Sequence, residues 1–171
     1  AAATDAEELT VATFVPPQHH TNTVLFSWFG EELETRSGGS LTMQLFPAGQ
    51  LGAGPAQQCK RAVEGVADIT FGVSAYTPAL FPKTMLAIPP GKAASSAEAT
   101  QRILSVFDEH LADEYEDVKV IALSTAAGIG IASTQDLSTL EAMEGAKLVP
   151  YAALTTPIIQ AMGAVPVQMP V

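Results

Sequence analysis

The stretch that decides the fold is LTMQLFPAGQLGAGPAQQCKRAVEGVADITFGV, residues 41–73. Its opening, LTMQLF (41–46), alternates as a strand does. PAGQLGAG (47–54) is a turn of small residues around a lone Gln50. PAQQCKRAVEGVA (55–67) is helical sequence, and Pro55 suits a first helical turn, where its missing N–H bonds nothing anyway. DITFGV (68–73) returns to an apolar strand. Strand, helix and strand joined by short turns imply parallel pairing, because the helix carries the chain back past the sheet. The small residues of the turn let other atoms approach the backbone, and a fresh helix start favours negative charge. The turn is therefore a candidate wall of a site.

Upstream, LTVATFV (9–15) is a strand pattern stopped by Pro16 and Pro17. Thr21 to Thr35 has helical periodicity: Val24, Leu25, Trp28, Phe29 and Leu33 share one face, with Glu31, Glu32 and Glu34 outside it. SGG (37–39) ends that helix, as glycine does past a C-terminus. Downstream, TMLAIPP (84–90) reads as a short strand ended by prolines. Residues 95–116 read as one long helix, capped by Ser95 or Ser96, burying Ile103, Leu104, Phe107 and Leu111. VKVIALS (118–124) and GIGIAS (128–133) read as strands, the first of them buried. STLEAMEGA (138–146) is a short helix capped by Ser138 or Thr139. KLVPY (147–151) is a strand, LTTPIIQAMGA (154–164) a helix, and VPVQMP (165–170) a last strand. The order predicts an α/β fold. Small residues near 124–128 mark a crossing between two lobes, 1–124 and 125–171. A terminal strand with nothing after it predicts that the sequence is part of a longer protein.

Composition narrows the function. The chain has 171 residues, 47% hydrophobic and 15% charged, enough to bury a core as one domain or two small ones. A net charge of −10, from 8 basic and 18 acidic residues, argues against nucleic acid and anionic membrane surfaces. It leaves a small anionic ligand open, because a local site can oppose the global charge. Cys59 is the single cysteine, so no internal disulfide forms. No run of 18 apolar residues is present to span a membrane. The start, AAATDAEELT, reads like what remains after cleavage at a small-residue site.

Catalytic motifs are missing. H-E-x-x-H, G-x-S-x-G and the P-loop pattern do not occur. GIGIAS follows a strand but carries Ser133 where a dinucleotide fingerprint needs its third glycine. Cys59 sits mid-helix, where a thiol packs, and neighbouring carboxylates lie on helix faces. His19 and His20 follow a strand end, where ligands bind in open α/β sheets. Adjacent residues point in different directions, which disfavours joint metal binding. One of them bonding a ligand stands against helix capping or plain exposure. SAY (74–76) follows the third strand in the same way. The residues indicate no metal and no cofactor.

SGGSLTMQLFPAGQLG with AVEGVADITFGV resembles the extracytoplasmic solute receptors of TRAP transporters, in their DctP-type branch. Members commonly carry a serine-glycine-glycine turn, a strand, Phe-Pro-x-x-Gln-Leu-Gly, a helix and Gly-x-x-Asp before the third strand. LSTLEAMEGAKL and AMGAVPVQMP (161–170) resemble the family's later segments. The resemblance runs along nearly the whole chain in order, over about the N-terminal half of a typical member. It implies a two-lobed periplasmic binding protein fold with parallel-rich sheets and a hinged cleft. The implied function is capture of a small organic acid or sugar acid, delivered to membrane subunits of a sodium-driven importer, without catalysis. The implied location is the periplasm, after signal-peptide removal. An enzyme on a related α/β scaffold, or a truncated fragment that binds nothing, are the alternatives.

The expected ligand-binding rim is His20, Thr21, Gln50, Ser74, Ala75 and Tyr76, with Ala127, Gly128, Ile129 and Tyr151 from the second lobe. One departure bears on chemistry. Members place an arginine between the lysine and proline of a second-lobe strand, where its fork holds a carboxylate. Here the order is Lys147-Leu148-Val149-Pro150, and no arginine lies beyond Arg102. Either other donors hold the solute, or the solute is neutral, or a residue is missing from the sequence.

Overall fold

The structure, a computed structural model, describes residues 6–87, 91–126 and 128–169. The chain divides into two compact units. One is built on residues up to Val73 with Asp117–Lys119, the other on Ser74–Glu116 with residues from Val120 onward.

The first unit contains a three-stranded parallel sheet of β1 (Glu7–Ala12), β2 (Leu41–Phe46) and β3 (Ile69–Thr70), in the order β2-β1-β3. Helix α1 (Ser27–Ser37) connects β1 to β2, and α2 (Gln58–Val63) connects β2 to β3. The central strand is the buried one: Val11 is fully buried, and Ala12 and Thr13 are nearly or wholly so. Its register against β2 runs from Glu7 opposite Leu41 to Ala12 opposite Phe46. Asp68 sets the start of β3. Its Oδ2 accepts hydrogen bonds from Thr10 N–H and Thr10 Oγ1, each 2.7 Å, and its own N–H donates to Thr10 Oγ1 at 3.1 Å. This reciprocal pair gives the aspartate of the Gly-x-x-Asp pattern a physical role, which is to tie β3 to β1.

The helix expected over 21–35 forms, with a different buried face. Val24, Leu25 and Trp28 are exposed, whereas Asn22 and Phe26 are buried and Phe29 and Leu33 half-buried. The reason is a wide i→i+5 turn over Thr21–Phe26 ahead of α1. Such a turn holds more residues than an α-turn, so a 3.6-residue pattern is read out of phase. Asn22 fixes that phase. It accepts from Thr13 Oγ1 (2.9 Å) and donates to the carbonyls of Val15 (3.3 Å) and Pro16 (2.9 Å). Gly38 ends α1 in the left-handed region, φ 64°, and the Gly39 N–H closes the cap on Glu34 O at 2.8 Å.

The second unit packs around α3 (Ser96–Val106). Ser95 caps it, its Oγ accepting from Glu98 N–H at 3.2 Å, while Glu98 Oε2 accepts from Ala94 N–H at 2.8 Å. The segment expected as one helix over 95–116 changes character at Phe107. It passes through a wide turn, Phe107–Leu111, and a tighter 3₁₀ turn, Ala112–Tyr115. Ile103, Leu111 and Tyr115 are buried and Phe107 half-buried, four residues apart each time, so Leu104 falls outside the stripe and is exposed. Tyr115 packs on Phe81 and Phe107, with ring centroids 4.7 and 5.5 Å away.

The strand expected over 84–90 is a 3₁₀ turn at Thr84–Ala87, and Ile88–Pro90 lie outside the described residues. Glu114 explains the turn. Its carboxylate accepts from the N–H groups of Lys83 and Thr84 and from Thr84 Oγ1, which satisfies donors that a helical turn leaves orphaned.

Residues 118–126 and 128–133 form no ladder, contrary to both strands expected there. Ile121, Ile129 and Ile131 are exposed. A strand needs a partner, and Thr125 finds its hydrogen bonds on α3, to Thr100 Oγ1 (2.9 Å) and Ser96 O (2.8 Å). Further on, α4 (Leu140–Met143) is capped by Thr139, and α5 (Thr156–Ala161) links β4 (Lys147–Leu148) to β5 (Val165–Pro166) in a two-stranded parallel sheet. No helix among the described residues is long and apolar enough to cross a membrane.

Candidate ligand-binding rim

In the first unit the order β2-β1-β3 reverses the direction of chain crossing between β1 and β3. Ligands of open α/β sheets bind beyond the carboxyl ends of strands at such a point. At the same carboxyl edge, on the β2 side of β1, the loops leaving β1 and β2 meet: Thr13 N–H donates to Phe46 O (3.0 Å), Ala48 N–H to Val15 O (2.9 Å) and Gly49 N–H to Thr13 O (3.0 Å). His20 and Gln50 are exposed on these loops, and Thr21 is buried. His19 acts locally, its Nδ1 accepting from Thr21 N–H at 3.2 Å.

Behind the Gly-rich turn stands Arg61, 7% exposed. Its Nη2 donates to Ala53 O at 2.7 Å and its Nη1 to Gly54 O at 3.4 Å. The guanidinium lies so close to Gly52 that an added Cβ would sit 2.9 Å from Nη2, and Gly52 has φ 125°. Small residues in this turn thus admit a side chain from α2 rather than only a ligand from outside. Among the described residues no carboxylate pairs with Arg61.

Two aromatic residues that sequence reasoning passed over stand at the same sheet edge. Phe14, two residues beyond β1, and Phe71, one beyond β3, stack with centroids 5.7 Å apart and planes 15° apart. The signal available was position: each is the aromatic residue that leaves a strand on either side of the crossing reversal.

In the second unit, Ser74, Ala75 and Tyr76 form a short 3₁₀ turn in which Ala75 is buried. Tyr151, just past β4, meets Tyr76 edge to face, with centroids 6.2 Å and planes 63° apart. Burial, and secondarily Tyr76, pushes the Tyr151 hydroxyl above its ordinary range, so it stays a protonated donor. Gly128 and Ile129 are exposed and Ala127 lies outside the described residues. Ile129 instead lines a cavity of about 450 Å³ with Ile131, Ser133, Gln135, Asp136 and Met143. Among the described residues no cation lines that cavity, and Asp136 brings a negative charge, which suits a carboxylate guest poorly.

Burial first, and the charge of Asp117 second, hold the Cys59 thiol above its ordinary value, which lowers its thiolate fraction. No three His, Cys, Asp or Glu side chains converge as a metal site among the described residues.

The family model DctP, bacterial extracellular solute-binding protein, family 7, matches residues 11–171. Solved structures agree in fold. A TRAP solute-binding protein from a marine metagenome, from an unidentified microbe, described as specific for aromatic acid ligands and bound to 3-hydroxybenzoate, is 26% identical with TM-score 0.84. The match covers 97% of this chain and 52% of that one. A TRAP solute-binding protein of Rhodoferax ferrireducens with copurified benzoate is 25% identical, TM-score 0.84, over 97% and 52% of the two chains. The L-gulonate-bound protein of Haemophilus influenzae, 19% identical with TM-score 0.75 over 96% and 54%, is alike in fold alone. The chain spans about half the length of the solved structures it matches.

Proposed function

Because the chain belongs to the family-7 bacterial extracellular solute-binding proteins, we propose that it is a periplasmic receptor that captures a small organic acid and delivers it to a TRAP-type importer. Aromatic monocarboxylates are the favoured class over sugar acids. The observation that carries this is the edge-to-face pair Tyr76–Tyr151, 6.2 Å between centroids. An edge-to-face pair forms an apolar corner of two ring surfaces, which suits contact with the ring of an aromatic acid. The neighbours at 26% and 25% identity, with 3-hydroxybenzoate and benzoate, support the same class.

In this reading residues 1–124 serve as a first lobe and 125–171 open a second, hinged against it. The rim is His20, Thr21, Gln50, Ser74, Ala75, Tyr76, Ala127, Gly128, Ile129 and Tyr151. With no arginine beyond Arg102, hydrogen bonds from Ser74, Tyr76 and Tyr151 hold the carboxylate. The protein binds and releases its solute unchanged. Membrane subunits of the importer are its macromolecular partners.

Calorimetry with benzoate, 3-hydroxybenzoate, gluconate and benzamide tests the reading. The expected result is saturable one-to-one binding of the aromatic acids, weaker or absent binding of gluconate and benzamide, and recovery of unaltered ligand. Turnover of any acid, or no heat with all four, contradicts it.

A further inference from the structure

The wide turn Thr21–Phe26 runs straight into α1, so its first N–H groups form the positive end of one continuous helix. No acidic residue stands in its first turn, and His20 at its head makes no side-chain cap. His19 supplies the cap instead, its Nδ1 accepting from Thr21 N–H at 3.2 Å and its carbonyl from the N–H groups of Asn22 (2.8 Å) and Thr23 (3.1 Å). The bond to Nδ1 forms only while that nitrogen carries no proton. The exposed His20 ring lies against the half-buried His19 ring, with centroids 4.2 Å apart. His20 is thus the titratable group that faces His19. The residues hydrogen-bonded to His19, which are Pro16, Thr21, Asn22 and Thr23, carry no charge, nor do Ala48 and Gly49 from the loop bonded across to Val15 and Thr13. Among the described residues no ion pair includes either ring.

We propose that the stacked pair His19–His20 is a proton-operated latch on the turn between β1 and α1. With Nδ1 bare, His19 holds the head of the helix, and Asn22 stays docked on Thr13, Val15 and Pro16. A proton taken up at Nδ1 sets two donors face to face, Nδ1–H and Thr21 N–H. It also places positive charge beside the positive end of a helix, with no acidic residue of the first turn to offset it. A proton on His20 adds a like charge across the ring contact. The turn then loosens from its head, and the tie between the β1 exit and α1 weakens with it. The latch is a property of this turn and does not depend on the solute.

The test is amide hydrogen-exchange protection of Thr21 to Phe26 in the full chain, measured by NMR in steps from about pH 8 to about pH 5, the range in which histidines gain a proton. The His19 and His20 ring signals are followed in the same samples. In wild type, protection of these amides is expected to fall roughly fivefold towards acid, the scale of one helix cap, in step with the His19 ring signal. His19→Asn keeps an acceptor for Thr21 N–H that does not titrate, so its protection should stay level. His19→Ala should be poorly protected at every pH, and His20→Gln should keep the fall. Wild-type protection that is level with pH overturns the latch. So does a fall that follows the His20 ring or any other group instead of His19, or the same fall in His19→Asn. Each of these failures leaves the receptor reading intact.

Discussion

Gly52 is where a single atom has the largest reach. Its φ of 125° strains an alanine, and an added Cβ 2.9 Å from Arg61 Nη2 would push the guanidinium aside. Gly52→Ala is expected to cost about 2 kcal/mol in urea unfolding, from backbone strain and displacement of the guanidinium together. Arg61→Met leaves the glycine intact but removes the guanidinium donor from the Ala53 carbonyl and the weaker of two donors from the Gly54 carbonyl, so local proteolysis of the 47–57 loop should accelerate. Asp68 makes a pH-dependent prediction. Bonding first from the Thr10 hydroxyl and then from its N–H lowers the Asp68 pKa below the ordinary 3.8. A depressed carboxylate stabilises the fold above its unfolded value, and that contribution is lost as pH falls through the folded value. Asp68→Asn should therefore be less stable than wild type at pH 7, by about 1 kcal/mol after allowance for solvent screening. The gap should close in melts taken stepwise from pH 4 to pH 2.

At the scale of elements, what the sequence reveals is the periodicity, and what it hides is any break in that periodicity. The strand Leu41–Phe46 and its turn are legible because alternation and Phe-Pro are local signals. The face of the helix after His20 is not, because Asn22 inserts a wide turn and shifts the phase, burying Phe26 in place of Leu25. Asn22→Ala should cost about 2 kcal/mol, since it leaves the buried Thr13 hydroxyl without its acceptor and takes one of two donors from each of the Val15 and Pro16 carbonyls. Asn22→Asp removes both donors and adds charge, and should cost more; thermal melts of the two variants decide. The strand pattern of 118–124 and 128–133 misleads for another reason. Hydrophobicity marks a segment fit to be a strand, but pairing requires a neighbour that no local pattern specifies. The turn at Thr84–Ala87 likewise depends on Glu114, thirty residues away from Thr84.

For the whole molecule, the account turns on where solute contacts lie along the strands of each unit. The family pattern around Gln50 and Asp68 was readable because those residues serve the turn and the register directly. The aromatic partners were not: Phe14 meets Phe71, and Tyr76 meets Tyr151, only through folding. The most direct measurement is a map of amide chemical-shift changes by NMR as benzoate is titrated into the labelled chain. The account predicts that the largest changes fall on Thr13–Thr21, Pro47–Gly54, Phe71–Tyr76 and the residues around Tyr151, all at carboxyl ends of strands. Changes confined to the opposite strand ends, around Glu7, Leu41 and Lys147, or to the 129–143 cavity, would contradict it.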